Sequence, residues 1–299
     1  MITDAIPLPA DPPGVRFTYS HPGQPALRRG LIRAVERVSG QPRLEGLYSG
    51  WAAGSKRPGE SAFAAALRLL DLPVRIEGQA ALAALPPEGG LLLVANHPFG
   101  IVDGLALGQL GMALRGDVRI MTNSLLCRVP EVEPHLLPVD FSGTAAARRL
   151  TGETRRRAAD LLLAGKVVAV FPAGGIATAN RPLRGRAVDP PWHPFAGRLA
   201  TLPGVTTLPV HVRGQNSRLF QIASHLSYPL RVALILHETR RRIGRPLDLR
   251  LGMPVAAAEL RRLDRNGIAA ELRRRTMALA RPLPEDPDET FVWPRRIRW

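Results

Sequence analysis

The feature that most constrains this chain is a short apolar run that stops abruptly at a histidine. Leu91–Ala95 carries only apolar side chains and is followed directly by Asn96-His97-Pro98. A short apolar run bounded by a proline is typical of a strand that is buried on both faces. Gly100 then allows a sharp turn. We predict a strand, a tight loop and a helix that begins near Asp103, which places His97 at the mouth of a sheet.

The acid that follows this histidine has two possible roles. Asp103 lies six positions after His97, so a tight loop can bring its carboxylate back to the imidazole. A carboxylate next to one ring nitrogen fixes the tautomer and leaves the other nitrogen free as a base. In the alternative, His97 is an ordinary loop histidine and Asp103 only caps the helix. The motif by itself leaves both interpretations open.

Strand-like and helix-like segments alternate from Pro73 onward. This alternation predicts an α/β fold, with a mostly parallel sheet flanked by helices on both faces. The predicted strands are Leu91–Ala95, Val118–Thr122, Leu136–Val139, Val167–Phe171, Thr206–Val212 and, at an edge, Leu247–Leu251. The predicted helices are Thr144–Leu163, Ser217–His225, Leu230–Arg242 and Ala256–Leu279.

The first part of the chain has a different character. It begins with a proline-rich stretch and continues with two short apolar helices, Ala26–Ser39 and Ser61–Asp71, joined by a Gly/Ser-rich loop that carries Trp51. These helices either pack on the core or contact a membrane with arginines toward the head groups. We therefore divide the chain into residues 1–74, loop and amphipathic helices, and residues 75–299, an α/β domain with a basic C-terminal tail.

The net charge points to an anionic partner. Lys+Arg number 41 and Asp+Glu 25, which gives +16. Nucleic acid, an acidic membrane surface and an acidic carrier protein all fit that charge. Aromatic residues make up only 5% of the chain and rarely adjoin the arginine runs, which argues against a nucleic-acid reader. We expect no nucleic-acid partner.

Cysteine, histidine and hydropathy patterns exclude other classes. Cys127 is the single cysteine, so a disulfide framework and a cysteine-based metal site are excluded. The histidines show no zinc-ligand spacing, and we expect no metal and no bound cofactor. No apolar run approaches the roughly 20 residues needed to span a bilayer. We expect a cytoplasmic protein, peripheral on the inner face of the membrane.

Two further loops follow predicted strands and resemble binding sites. Phe171-Pro172-Ala173-Gly174-Gly175 follows the Val167–Phe171 strand. Its glycines could present amide N–H groups to an anion or oxyanion, or form only a structural turn. The Thr206–Val212 strand leads into a polar stretch in which Arg213 and Asn216 could bind a polar group.

Taken together, these segments identify a protein family far more specifically than any one of them does. Asn96-His97-Pro98 with Asp103, then Phe171-Pro172-x-Gly174, then Leu208-Pro209-Val210, resemble the glycerolipid (lysophosphatidic-acid acyltransferase-like) acyltransferase superfamily. The resemblance covers roughly residues 75–252. NHPFGIVDG and the later GQNSRLF are most similar to its haemolysin-like branch, which includes ornithine-lipid O-acyltransferases.

The resemblance implies an α/β fold, monotopic membrane attachment and transfer of an acyl chain from acyl carrier protein or acyl-CoA, the co-substrate. It implies that His97 is the general base and Asp103 its orienting partner. The remaining candidate positions are assigned to substrate binding: Asn96, Phe99, Gly100, Asn123, Phe171, Pro172, Gly174, Gly175, Arg213 and Asn216.

The chain departs from the family pattern at two positions that concern the acceptor. Ala173 stands where many members carry Glu, and Phe141 follows Val139-Asp140 where phosphate-binding members carry Arg. Without that guanidinium a phosphate clamp is lost, unless Arg181, Arg213 or Arg218 supplies one from another loop. We therefore expect the lysolipid acceptor to be a lyso-aminolipid of the ornithine type. The alternatives are a 1-acylglycerol-3-phosphate acyltransferase and a non-catalytic basic protein that binds nucleic acid or a membrane.

Overall fold

The fold is built around a central sheet. The computed structural model describes residues 17–18, 20, 23–54, 56–123, 129–140 and 143–294. Cys127 and Phe141 lie outside these residues. The strands are β1 Val74–Glu77, β2 Gly90–Ala95, β3 Arg119–Asn123, β4 Leu136–Val139, β5 Val167–Val170, β6 Thr178–Ala179, β7 Ala187–Val188, β8 Val205–Val212, β9 Leu247–Leu251 and β10 Val255–Ala256.

The sheet is mostly parallel, as predicted. Its order is β1-β9-β8-β2-β5-β3-β4, and β10 pairs with the start of β8. The five strands from β8 to β4 are mutually parallel, whereas β9 and β10 pair antiparallel with β8. Strands β6 and β7 form a separate antiparallel pair. The carboxyl ends of β8, β2 and β5 therefore lie side by side at one edge of the sheet.

Helices cover both faces of the sheet. They are α1 Ala26–Val38, α2 Gln41–Gly54, α3 Ala62–Leu69, α4 Gln79–Ala83, α5 Ile101–Arg115, α6 Ala145–Leu163, α7 Phe195–Ala200, α8 Arg218–Leu226, α9 Tyr228–Ala233, α10 Ile235–Arg242, α11 Ala257–Leu260 and α12 Arg265–Met277. Several begin where the sequence offers a capping side chain. For example, the Thr144 hydroxyl accepts the Ala147 N–H of α6 at 3.1 Å.

Strand β2 contributes to two cores because its side chains alternate between the faces of the sheet. Leu91 and Leu93 pack with Phe63 of α3 on one face, while Leu92 and Val94 pack with α6, α7 and α12 on the other. All the β2 residues are buried. This double burial explains why the strand reads as a continuous apolar run.

Several predicted elements need correction. The stretch around Trp51 is helix α2, not a loop, and Trp51 is buried in it. Strand β9 is internal because β1, which was not predicted, pairs with it. The predicted helix Ala256–Leu279 is two helices, since the Asp264 side chain accepts the Gly267 N–H and begins α12. The predicted helix Leu230–Arg242 is likewise divided into α9 and α10.

Helix α1 presents an apolar stripe to solvent. Leu27, Leu31 and Val38 are 88%, 51% and 78% exposed, and their spacing places them on one side of the helix. Ile32 and Glu36, on another side, are buried. None of the helices in the described parts of the chain combines the length and apolarity needed to cross a bilayer.

Candidate active site

The candidate site lies at the carboxyl ends of three adjacent parallel strands. Residues 96–100 follow β2, residues 171–177 follow β5 and residues 213–217 follow β8. Ligands in open α/β sheets bind at this edge. The three sequence motifs therefore meet in space, which is the arrangement expected of an enzyme and not required of a basic binding module.

His97 and Asp103 are in contact. His97 Nδ1 lies 3.0 Å from Asp103 Oδ2, and the Asp103 side chain is fully buried while that of His97 is 17% exposed. The contact required by the first interpretation is therefore present, while the role of His97 as a base stays a prediction. The same Oδ2 atom accepts the backbone N–H groups of Phe99 at 2.8 Å and Gly100 at 2.9 Å, which closes the first turn of α5. One carboxylate thus fixes the loop and faces the imidazole.

The loop after β5 holds the other side of His97. The Phe171 ring stacks on the imidazole with centroids 4.1 Å apart and planes at 27°. The Ala177 N–H donates to the His97 carbonyl at 2.7 Å. Ring stacking and this hydrogen bond restrict both the side chain and the main chain of His97. Within the same loop, the Gly174 N–H donates to the Phe171 carbonyl at 3.0 Å and closes a turn. Gly175 is the first residue after this turn.

The Asn96 side chain forms two hydrogen bonds with the main chain of β8, directly after β2 ends. Its side-chain nitrogen donates to the Val212 carbonyl at 2.9 Å, and its side-chain oxygen accepts the Val212 N–H at 2.7 Å. The amide thus replaces a main-chain partner of β8 where β2 ends. Both of its polar groups are occupied by the protein, so the structure gives Asn96 a positioning role. Its assignment to substrate binding stays a prediction.

Phe99 lies between a glycine and a guanidinium. Gly214 has φ +125°, and a Cβ there would lie 2.4 Å from Phe99 Cζ. The guanidinium of Arg242 lies 4.6 Å from the ring centroid. Burial and Arg245 lower the pKa of Arg242, while the negative charge of Asp103 raises it. Arg242 was not predicted; nothing in the arginine run 240–242 marks which member faces the site.

The other predicted binding residues surround this centre at different distances. Asn216 is buried, and its side-chain nitrogen donates to the Phe99 carbonyl at 3.4 Å. Pro172 accepts the His193 N–H through its carbonyl at 2.9 Å. Arg213 is 54% exposed and faces Asp248 at 3.7 Å, so its charge is directed toward β9. Asn123 ends β3, two strands away from β2.

A buried acid that sequence reasoning missed lies behind the His97 main chain. Asp189 is 1% exposed, and its Oδ1 accepts the His97 N–H at 3.2 Å. Its Oδ2 accepts the indole N–H of Trp192 at 2.9 Å. Burial raises the pKa of Asp189 to about 6, although these hydrogen bonds oppose the rise. Among the described residues, no group of three or more His, Cys, Asp or Glu side chains is placed to hold a metal.

The chain is similar to lipid acyltransferases. A model of an acyltransferase family matches residues 58–280. A lyso-glycine lipid O-acyltransferase from Phocaeicola vulgatus is 28% identical over 202 residues, which cover 64% of this chain and 67% of that protein. A lyso-glycine lipid O-acyltransferase from Bacteroides thetaiotaomicron is 30% identical over 158 residues, 52% of this chain and about half (54%) of that protein.

A solved structure also resembles the chain. The crystal structure of the 1-acyl-sn-glycerophosphate (LPA) acyltransferase PlsC from Thermotoga maritima is 16% identical, with a TM-score of 0.39. The match covers 83% of this chain and 82% of that one.

Proposed function

Since the chain belongs to this acyltransferase family, we propose that it moves a fatty acyl chain from a thioester donor to the hydroxyl of a lysolipid with an amino-acid head group. The observation that carries the proposal is the 3.0 Å contact between His97 Nδ1 and the fully buried Asp103 carboxylate. A buried carboxylate next to one ring nitrogen orients a histidine as a general base.

The geometry supports a direct attack of the acceptor on the donor. His97 Nδ1 faces Asp103, so Nε2 is the nitrogen available to a substrate. Nε2 takes the proton of the acceptor hydroxyl as that oxygen bonds to the thioester carbonyl carbon. When the tetrahedral intermediate collapses, the C–S bond breaks and the imidazolium returns its proton to the thiolate. The products are the ester and the free thiol.

The loop after β5 is the candidate for stabilising the intermediate. It is fixed against His97 through Ala177, and Gly175 follows the turn that the Gly174 N–H closes. A fixed backbone N–H near the reacting carbonyl stabilises an oxyanion without reorganisation. We propose Gly175 as a donor to this oxyanion, in place of Gly174, whose N–H bonds to the Phe171 carbonyl.

One finding supports an amino-acid head group over a phosphomonoester. The two relatives described above are both lyso-glycine lipid O-acyltransferases. Glycine and ornithine head groups share the absence of a phosphomonoester, and we propose this class as acceptor. The donor is acyl carrier protein or acyl-CoA.

We assign the membrane contact to α1. Its exposed stripe of Leu27, Leu31 and Val38 is suited to shallow insertion, and its exposed Arg33 and Arg37 suit anionic head groups. The net charge of +16 favours the same surface. This assignment narrows the contact region predicted from the sequence.

Substitution of His97 and Asp103, here called the dyad, tests the reaction. His97→Ala removes the base, and we expect acyl transfer to fall about 10²–10⁴-fold. Asp103→Asn keeps the shape of the side chain and removes the orienting charge. We therefore expect its acyl-transfer activity to lie between that of the wild type and that of His97→Ala. Purified variants are assayed with acyl carrier protein and CoA thioesters. Full activity of His97→Ala would contradict the mechanism.

A comparison of acceptors tests the substrate class. Wild-type enzyme is given lyso-glycine lipid, lyso-ornithine lipid and lysophosphatidic acid under identical conditions. We expect kcat/KM to be highest for one of the two amino-acid lipids. A preference for lysophosphatidic acid would overturn the proposed acceptor and leave the role of His97 intact.

A further inference from the structure

Both polar groups of the His97 main chain are fixed by the protein. The Ala177 N–H donates to the carbonyl at 2.7 Å, and Asp189 Oδ1 accepts the N–H at 3.2 Å. The first partner comes from a motif loop. The second is a buried carboxylate that is 92 residues away in the sequence and takes no part in the mechanism above.

Asp189 is itself held from several directions. Its backbone carbonyl accepts the Phe291 N–H at 3.0 Å and lies 3.5 Å from Arg273 Nη2. The Arg273 guanidinium also donates to the carbonyls of Pro190, Pro287 and Glu289 at 3.1, 2.6 and 2.7 Å. Asp189 thus connects α12 and the C-terminal segment to the catalytic loop.

We propose that Asp189 is a positioning residue for acyl transfer: it fixes the main chain of His97, and so aligns the imidazole with Asp103 and with the acceptor hydroxyl. The inference rests on the proposed role of His97 as base. Small displacements of a catalytic group lower the rate strongly without a matching loss of substrate binding. Asp189 therefore acts on kcat more than on KM.

The positioning state is the ionised carboxylate. Two donors, the His97 N–H and the Trp192 indole N–H, face its two oxygens. Protonation removes the charge that strengthens both hydrogen bonds and adds an O–H donor to one oxygen, which weakens the hold of the carboxyl group on these N–H groups. The charged and titratable groups that face Asp189 are Arg273 on α12 and the His97 imidazole. The acids of the C-terminal segment, Glu285, Asp286 and Asp288, act on Arg273. Since burial raises the pKa of Asp189 to about 6, positioning is lost progressively as the pH falls through this value.

Kinetics of two variants test the role. Asp189→Asn keeps one acceptor and turns a donor toward its other partner, so we expect kcat to fall about tenfold, the equivalent of one hydrogen bond, with KM within about twofold. Trp192→Phe is the matched control, because it removes the other hydrogen bond to the same carboxylate and leaves the His97 contact. Its kcat should fall less than that of Asp189→Asn.

A spectroscopic titration tests the ionisation without relying on Asp189→Asn to fold. Trp192 fluorescence is followed between about pH 5 and 7 in a background that carries both His97→Ala and His193→Gln, so that neither His97 nor the adjacent His193 contributes. We expect a transition near pH 6 that is absent when Trp192→Phe is added. A flat Trp192 signal would contradict the ionisation argument.

The outcomes separate this inference from the proposed function. Loss of activity in His97→Ala together with wild-type kcat in folded Asp189→Asn would overturn the positioning role alone. An active His97→Ala would overturn the proposed mechanism itself. A reduced kcat at unchanged KM in Asp189→Asn, with a smaller loss in Trp192→Phe, supports the positioning role.

Discussion

The dyad depends on a close packing contact between two of the motif loops. Phe99 donates its N–H to Asp103, and its ring occupies the space that a side chain at Gly214 would fill. The loop after β8 therefore restrains Asp103 through Phe99. This contact explains why a glycine follows Arg213.

Gly214→Ala should impair both folding and catalysis. The new Cβ would lie 2.4 Å from Phe99 and adopt φ +125°, so we expect a loss of about 1–3 kcal/mol in unfolding free energy and a lower kcat. Denaturant unfolding and acyl-transfer assays measure both quantities.

Gly104→Ala is the matched control, because its Cβ would meet no atom within 4 Å and it lies in α5. We expect it to be neutral or to stabilise by about 0.5–1 kcal/mol. Equal losses in both variants would show that Phe99 packing is not the cause.

Sequence reasoning predicted the contact of the candidate site that is local in the chain. His97 and Asp103 lie within one strand–loop–helix unit, so their contact follows from the turn. Asp189 could not be found this way, because its proximity to His97 depends on how distant segments pack. An acid before two prolines and a tryptophan, Asp189-Pro190-Pro191-Trp192, is the one local sign of its burial.

At the scale of elements, α1 exposes three large apolar side chains along one side. Substituting Gln for Leu27, Leu31 and Val38 should weaken binding to anionic vesicles at least tenfold, because each buried apolar side chain contributes about 1.5–3 kcal/mol. Vesicle sedimentation at low and high salt measures this binding, and salt should weaken the arginine contribution.

The control for α1 is a variant with the same number of Leu-to-Gln or Val-to-Gln substitutions at exposed positions outside α1. Leu163, Leu183 and Leu283 are 55%, 71% and 72% exposed, and substituting Gln for them removes the same number of exposed apolar side chains. We expect this control to bind vesicles as the wild type does. Equal weakening in both variants would assign the binding to general hydrophobicity.

The elements that sequence reasoning missed are those that depend on packing. Helix α2 contains Gly46, Gly50 and Gly54, which disfavour a helix on propensity; it is supported by buried Leu44 and Trp51. Strand β1 has only four residues with alternating burial, and its pairing with β9 decides its conformation. The long apolar strands were predictable because burial on both faces marks them in the sequence.

At the scale of the whole molecule, the described residues that follow the family match, 281–294, are part of the fold. The match ends at residue 280, yet Phe291 is 1% exposed and its ring lies 4.9 Å from that of Trp293 and 5.7 Å from that of His225. Asn180 also bonds to this segment at Thr290 and Val292, at 3.0 Å each.

Phe291→Ala should therefore destabilise the whole chain. Removing a buried phenylalanine ring costs about 3–5 kcal/mol, and we expect this loss in denaturant unfolding. Val292→Ala is the control, since Val292 is 72% exposed and should change stability by less than about 0.5 kcal/mol. A loss below about 1 kcal/mol for Phe291→Ala would contradict the packing of this segment.

The sheet order also bears on whether a strand of another molecule can pair with the edge of this sheet. Strand β4 ends the order on one side, and an edge strand offers its backbone to any incoming strand. At Pro138 no N–H exists, and its carbonyl already accepts the Thr154 hydroxyl at 2.6 Å. One position of this edge can therefore neither donate to nor readily accept from a foreign strand, so amyloid-type extension across β4 is interrupted.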